Sequence, residues 1–149
     1  MSKTIFIAEA GVNHNGSIAL AKKLIDVAKK ANADFVKFQI FNTDNLAIKK
    51  SPLAKKKKKN VKKNVTQYDM LKKLELSYNQ HSILINYCKK RKINYLASVF
   101  DIESLNFLRK KSSSIKIPSG EITNYQLLRN IRKKKFLKIF LSTGASNIN

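Results

Sequence analysis

The run Ile115-Lys116-Ile117-Pro118-Ser119-Gly120-Glu121-Ile122-Thr123-Asn124 closes a short apolar segment with a lysine, a serine and a glutamate, where a βα-loop would begin. A lysine there can hold a phosphate or carboxylate, and a hydroxyl with loop amides can take the remaining oxygens. A carboxylate further along the same loop can move a proton. Ser-Gly-Glu is also an ordinary turn with a helix-starting acid, so recurrence decides the reading. Ile5-Phe6-Ile7-Ala8-Glu9 is apolar, ends in an acid and leads into the Gly- and Asn-rich Gly11-Val12-Asn13-His14-Asn15-Gly16. Phe35-Val36-Lys37-Phe38-Gln39 carries Lys37 within and Gln39 at its end. Tyr95-Leu96-Ala97-Ser98-Val99-Phe100-Asp101 and Phe140-Leu141-Ser142-Thr143-Gly144 also finish in polar groups.

Helical patterns lie between these runs. From Ile18 to Ala31, the residues Leu20, Leu24, Val27, Ala28 and Ala31 share one expected apolar face, with Lys22, Lys23, Lys29 and Lys30 largely off it. Met70-Leu71-Leu74 and Ile83-Leu84-Tyr87-Cys88 repeat the spacing with a break near Leu76 to Asn79, and Ile102-Leu105-Phe107-Leu108 and Tyr125-Leu127-Leu128-Ile131 add two more. Strand then helix, repeated, with strands apolar on both faces, is the pattern of a parallel α/β sheet. Ligands in that class bind at the carboxyl ends of the strands, which is where the polar residues fall.

A lysine inside a strand ordinarily lies on a solvated face. The apolar neighbours of Lys37 and Lys116 argue otherwise, because a parallel strand has covered faces and a buried ammonium must find an anion. An inward-facing pair beside Ser98, Ser119 and Ser142 would form a pocket for a small dianion. Glu9 and Glu121 are then the acid/base candidates, or else each merely balances a lysine. Asn13 and His14 are expected to shape the first loop, and His81, at the start of a helix, is expected at the surface. The two histidines, His14 and His81, lack metal-ligand spacing. The single cysteine, Cys88, excludes an internal disulfide framework and reads as a helix core residue.

The motifs Ile7-Ala8-Glu9-Ala10-Gly11-Val12-Asn13-His14-Asn15-Gly16, Val36-Lys37-Phe38-Gln39, Met70-Leu71-Lys72-Lys73-Leu74-Glu75-Leu76-Ser77, Lys116-Ile117-Pro118-Ser119-Gly120-Glu121-Ile122-Thr123-Asn124 and Leu141-Ser142-Thr143-Gly144 together resemble the sialic acid synthases. That group includes the N-acetylneuraminate, legionaminate and pseudaminate synthases, and the wording of the Lys116 motif leans towards the legionaminate or neuraminate branch. The resemblance implies a TIM-type (β/α)8 barrel. A full barrel takes roughly 250 residues, whereas these 149 hold four βα units and a fifth strand. Residues 1–149 are therefore expected to be the N-terminal part of a barrel domain, without the rest of the barrel or the family's C-terminal antifreeze-like domain.

The implied reaction condenses phosphoenolpyruvate with the open aldehyde form of an N-acetylated hexosamine, giving a nine-carbon 2-keto acid and phosphate. By the same resemblance, Glu9 and Gln39 match positions facing the sugar and Glu121 matches the acid/base candidate, while Lys37, Lys116, Ser119 and Ser142 suit the phosphate and carboxylate of phosphoenolpyruvate. Ser98 stands where the family usually has a threonine, in Ala97-Ser98-Val99-Phe100-Asp101, and the family's following proline is lost. The resemblance further implies a divalent metal, Mn2+ or Mg2+, whose histidine ligands come from later barrel strands, and a homodimer in which a partner subunit completes the sugar pocket. On its own the chain is expected to be inactive.

Composition fits a soluble, cytoplasmic protein: 43% of residues are hydrophobic, with eight Phe and five Tyr for a core. No apolar stretch approaches the roughly 20 residues of a membrane helix, and the N-terminus enters a strand with no room for a signal peptide. The formal charge of +22 includes a run from Lys55 to Lys59 that continues at Lys62 and Lys63. Such a block is expected in a mobile loop. Basic runs also suit nucleic acid, but this one has no interleaved aromatics for stacking. A further alternative is a Schiff-base aldolase with Lys37 or Lys116 as the attacking amine.

Overall fold

The computed structural model describes residues 4–50, 65–132, 136–144 and 146–147. The Lys55–Lys63 run lies outside the described residues. The chain alternates strand and helix: β1 (Ile7–Gly11), α1 (Ile18–Lys30), β2 (Phe35–Ile40), α2 (Thr43–Leu46), α3 (Gln67–Leu74), α4 (Tyr78–Arg91), β3 (Asn94–Val99), α5 (Ile102–Arg109), β4 (Ser114–Ile117), α6 (Tyr125–Arg132) and β5 (Lys138–Leu141). A 3-10 turn, Ser119–Glu121, joins β4 to α6. The five strands form one sheet in the order β1-β2-β3-β4-β5, with every neighbouring pair parallel. This is an α/β sheet with the topology of part of a (β/α) barrel.

Local chemistry places the turns. Ser17 caps α1 by accepting a hydrogen bond from the Leu20 amide, and Ser77 forms a reciprocal capping box with Gln80 at the start of α4. Asp101 caps α5: its carboxylate accepts from the Ser104 amide at 2.7 Å and from the Asn42 amide at 3.0 Å. That second bond ties the loop after β2 to the loop after β3. Gly16 is required by its position, with φ of 76° and an added Cβ that would lie 2.4 Å from the Lys73 carbonyl oxygen.

Alternation along the strands divides the sheet into two faces. Val36, Phe38, Ile40, Tyr95, Ala97, Val99, Ile115 and Ile117 point outward into one apolar core with Ala21, Ile25, Ala28, Leu84, Cys88, Leu105, Leu108, Leu127 and Ile131 of the covering helices. Cys88 is buried there, and burial pushes its thiol up to about 12, so the group is an unreactive packing residue.

Two expectations from the sequence change, for α1 and for His81. The buried stripe of α1 is Ala21, Ile25 and Ala28, while Leu20 and Val27 are 41% and 65% exposed. Two alanines flanking Ile25 let the helix backbone approach the sheet closely, which Leu20 and Val27 would hold off. His81 is fully buried rather than on the surface, because the first turn of α4 lies against Tyr95 of β3 and shares a hydrogen bond with it. Strand β5 is not covered: Ile139 and Leu141 are about half exposed at the sheet edge.

Candidate functional site

The inner sheet face carries the polar residues. Registers pair Glu9 with Lys37, Gln39 with Ser98, and Ser98 with Lys116, and residues in register on parallel strands project to the same side. Lys37 and Gln39, two apart on β2, share that side. Below them, the Phe35 and Phe140 rings meet edge to face with centroids 5.4 Å apart and floor the site.

Glu9 is the hub of this cluster. Its Oε1 accepts a hydrogen bond from Lys37 Nζ at 2.9 Å, and its Oε2 lies 3.7 Å from Lys116 Nζ. One carboxylate thus spans two ammonium groups from strands β2 and β4. A register shift between Glu9 and Gly11 breaks the β1–β2 ladder immediately after the glutamate, and Gly11 adopts φ of 54°. A Cβ at residue 11 would stand 3.2 Å from Glu9 Oε1, so the glycine leaves room for the carboxylate in this position.

The two lysines differ. Lys37 is 3% exposed, and burial pulls its ammonium below the ordinary lysine value. The Glu9 hydrogen bond and charge oppose that fall, and the neighbouring Lys116 charge adds to it. The Lys116 side chain is 27% exposed, nearer the open side of the face. Ser98 is fully buried, and its Oγ has no hydrogen-bond partner among the described residues. In register it sits between Gln39 and Lys116, which leaves an unused hydroxyl beside the lysine pair.

The remaining candidates occupy the rim. Ser119 opens the 3-10 turn, and its Oγ would be 3.5 Å from a Cβ at Gly144, so the loops after β4 and β5 lie side by side. The Ser142 amide donates to the Ile117 carbonyl at 3.0 Å, which fastens the start of the second loop to the end of β4. Glu121 accepts a hydrogen bond from Asn124 Nδ2 at 2.7 Å. Among the described residues it makes no ion pair with Lys37 or Lys116, so the two glutamates are held in separate environments. Sequence reasoning offered Glu9 as an acid/base candidate or as the balance of one lysine; its bridging of two becomes visible only once strand register is known.

His14 is buried, its Nδ1 accepts from the Gly16 amide at 3.1 Å, and burial lowers its basicity. This bond closes the turn that follows β1 and sets the entry to α1. No group of three or more His, Cys, Asp or Glu side chains is placed to hold a metal among the described residues. These residues therefore do not by themselves fit the divalent cation that the resemblance implies, and no chemical step is assigned to it. No described helix is long and apolar enough to cross a membrane.

Residues 24–149 match the profile of the NeuB family. The chain belongs to the NeuB family. The N,N'-diacetyllegionaminic acid synthase of Campylobacter jejuni subsp. jejuni is 47% identical to this chain over 149 residues, which covers 99% of the chain and 44% of that relative. The enzyme of the same name from Legionella pneumophila is 44% identical over 149 residues, with 99% and 42% covered. Among solved structures, the N-acetylneuraminic acid synthetase of Leptospira borgpetersenii superposes with a TM-score of 0.80 at 28% identity, covering 98% of this chain and 47% of that one. The chain thus spans less than half the length of these curated relatives. Those curated relatives carry the name of synthases of N,N'-diacetyllegionaminic acid.

Proposed function

We propose that the inner sheet face is the phosphoenolpyruvate subsite of a sialic-acid-type synthase, which condenses phosphoenolpyruvate with an N-acetylated hexosamine to a nine-carbon 2-keto acid and phosphate. The observation that carries this reading is the convergence of Lys37 and Lys116 on one carboxylate, beside the unpartnered Ser98 hydroxyl. Two ammonium groups that meet on one carboxylate supply charge for a phosphate and a carboxylate. Ser119 and Ser142 on the adjoining loops are the further donors, Gln39 and Glu9 face the sugar, and Glu121, held by Asn124, is the acid/base group. A divalent cation belongs to the proposed reaction by resemblance, with ligands outside the described residues. A partner subunit likewise completes the sugar pocket in the proposed assembly.

The test is phosphoenolpyruvate binding to this chain, followed by broadening of its phosphorus resonance. Lys37→Met and Lys116→Met are each expected to weaken it by about tenfold or more. Binding that persists in both variants would overturn the assignment. Lys37 also favours a second reading: a buried lysine with depressed basicity is what a Schiff-base aldolase uses. Borohydride with pyruvate discriminates, since a covalent adduct at Lys37 requires the aldolase and no adduct leaves the synthase.

A further inference from the structure

We infer that Glu9 is a resident counter-anion of the Lys37–Lys116 pair: an incoming phosphate must displace its carboxylate, so Glu9 weakens anion binding while keeping the site charged. This rests on the anion-binding reading of the inner face.

Three observations lead to it. First, a single carboxylate engages both cations, with oxygens 2.9 Å from Lys37 Nζ and 3.7 Å from Lys116 Nζ. Any anion bridging the same two nitrogens competes for the space and charge that Glu9 occupies. Second, the partners are unequally anchored: Lys37 is buried inside its strand, whereas the Glu9 side chain is 53% exposed. The mobile member of the pair is therefore the carboxylate. It can swing into solvent at little desolvation cost, while Lys37 has no such exit. Third, Glu9 stands at the ladder break, and only the absent side chain at Gly11 lets its carboxylate lie against the lysines, since a Cβ there would stand 3.2 Å from Oε1.

The arrangement also explains how a buried lysine stays ready for an anion. Burial drives Lys37 towards its neutral form and Lys116 on β4 pushes the same way, while Glu9 on β1 is the charged group that opposes both. Gln39 and Ser98, on the same face, are uncharged. Glu9 therefore acts through Lys37 and Lys116 as a positioning residue, distinct from any role it takes in the chemistry. Its removal has two opposed consequences: a competitor disappears, and Lys37 loses the group that holds its proton.

Inorganic phosphate is the probe, titrated against dilute wild-type chain, Glu9→Gln, Glu9→Asp and Lys37→Met. At pH 6.5, Glu9→Gln is expected to bind phosphate about tenfold more tightly than wild type, since an opposing unit charge at contact distance is gone. That gain is expected to shrink as pH is raised, because the Lys37 ammonium without its Glu9 partner loses its proton sooner than in wild type. Glu9→Asp, too short to span both lysines, is expected to fall between wild type and Glu9→Gln. A Glu9 that only braced the fold would give weaker binding in both variants at every pH. Wild-type binding that Glu9→Gln and Glu9→Asp leave equal or weaker overturns the inference while sparing the subsite. If wild type and Lys37→Met bind phosphate alike or not at all, the subsite reading falls and the inference falls with it.

Discussion

His81 Nδ1 lies 2.9 Å from the Tyr95 hydroxyl, joining the first turn of α4 to the start of β3 inside the core. Tyr95 in turn stacks on Phe38 of β2, with ring centroids 5.7 Å apart and planes 14° from parallel. Burial, assisted by the nearby His14, lowers the His81 imidazole from 6.5 to about 3, so it is neutral wherever the chain is folded. The unfolded chain binds that proton below pH 6.5 and the folded chain does not. The stabilising contribution is therefore complete above about pH 6.5 and is lost as pH falls towards 3. The expected loss is about 2 kcal/mol by pH 5. Urea denaturation at pH 7 and pH 5 checks it: wild type should lose about 2 kcal/mol more than His81→Gln over that interval. Equal losses would show that His81 does not titrate in this way.

The lysines invite a different expectation. Lys37 and Glu9 form a 2.9 Å ion pair, yet the buried ammonium pays a desolvation cost and its partner is half exposed. Such a pair contributes little net stability, and replacing the buried ion by an apolar group of similar length is often neutral. Lys37→Met is expected to change unfolding free energy by no more than about 1 kcal/mol, because Glu9 retains Lys116 and water. The same substitution is expected to weaken anion binding about tenfold. A loss above about 3 kcal/mol in urea would instead make Lys37 a structural residue.

The strand-helix alternation was legible in the sequence because period-two and period-3.6 patterns depend on local spacing, and the five polar strand ends stood out against apolar runs. Which face a residue occupies was less legible. The buried stripe of α1 runs through Ala21, Ile25 and Ala28, and alanine carries too little hydrophobic signal to outweigh Leu20 and Val27. His81 looked like a helix-start surface residue because its partner, Tyr95, is fourteen residues away on another element. The Glu9 bridge was hidden for the same reason: β1, β2 and β4 bring Glu9, Lys37 and Lys116 together across 28 and 79 residues of chain, and only register reveals it.

Two glycines with different surroundings give a paired test. Gly16 has φ of 76°, and a Cβ there would lie 2.4 Å from the backbone carbonyl of Lys73, an atom that cannot turn aside. Gly120, in the turn before Glu121, has nothing within 4 Å of that position and no positive φ. Gly16→Ala is expected to destabilise by about 2 kcal/mol or more, from left-handed backbone strain plus the clash. Gly120→Ala should stay within about 0.5 kcal/mol of wild type. Thermal melts of the two variants decide it, and similar midpoints would mean that the loop between β1 and α1 yields where the structure has it pinned.

The sheet edges govern behaviour in solution. Among the described residues β1 and β5 each pair on one side only, so each presents unpaired amide and carbonyl groups along its other side. The exposed Ile5 and Phe6 flank the first edge, and Leu137, Ile139 and Leu141, between 50% and 82% exposed, line the second. Neighbouring large apolar residues on an open parallel edge are a template for association, which the charge of +22 opposes at long range. Screening by salt removes that opposition while leaving the apolar contact intact. The 149-residue chain is therefore expected to self-associate, and more so at 0.5 M than at 0.05 M salt, where the Debye length falls from roughly 14 Å to 4 Å. Sedimentation velocity at the two salt concentrations reads this out, with Ile139→Lys and Leu141→Lys together expected to restore monomer. A monodisperse monomer at both, with a cooperative melt, would show that the edges are protected.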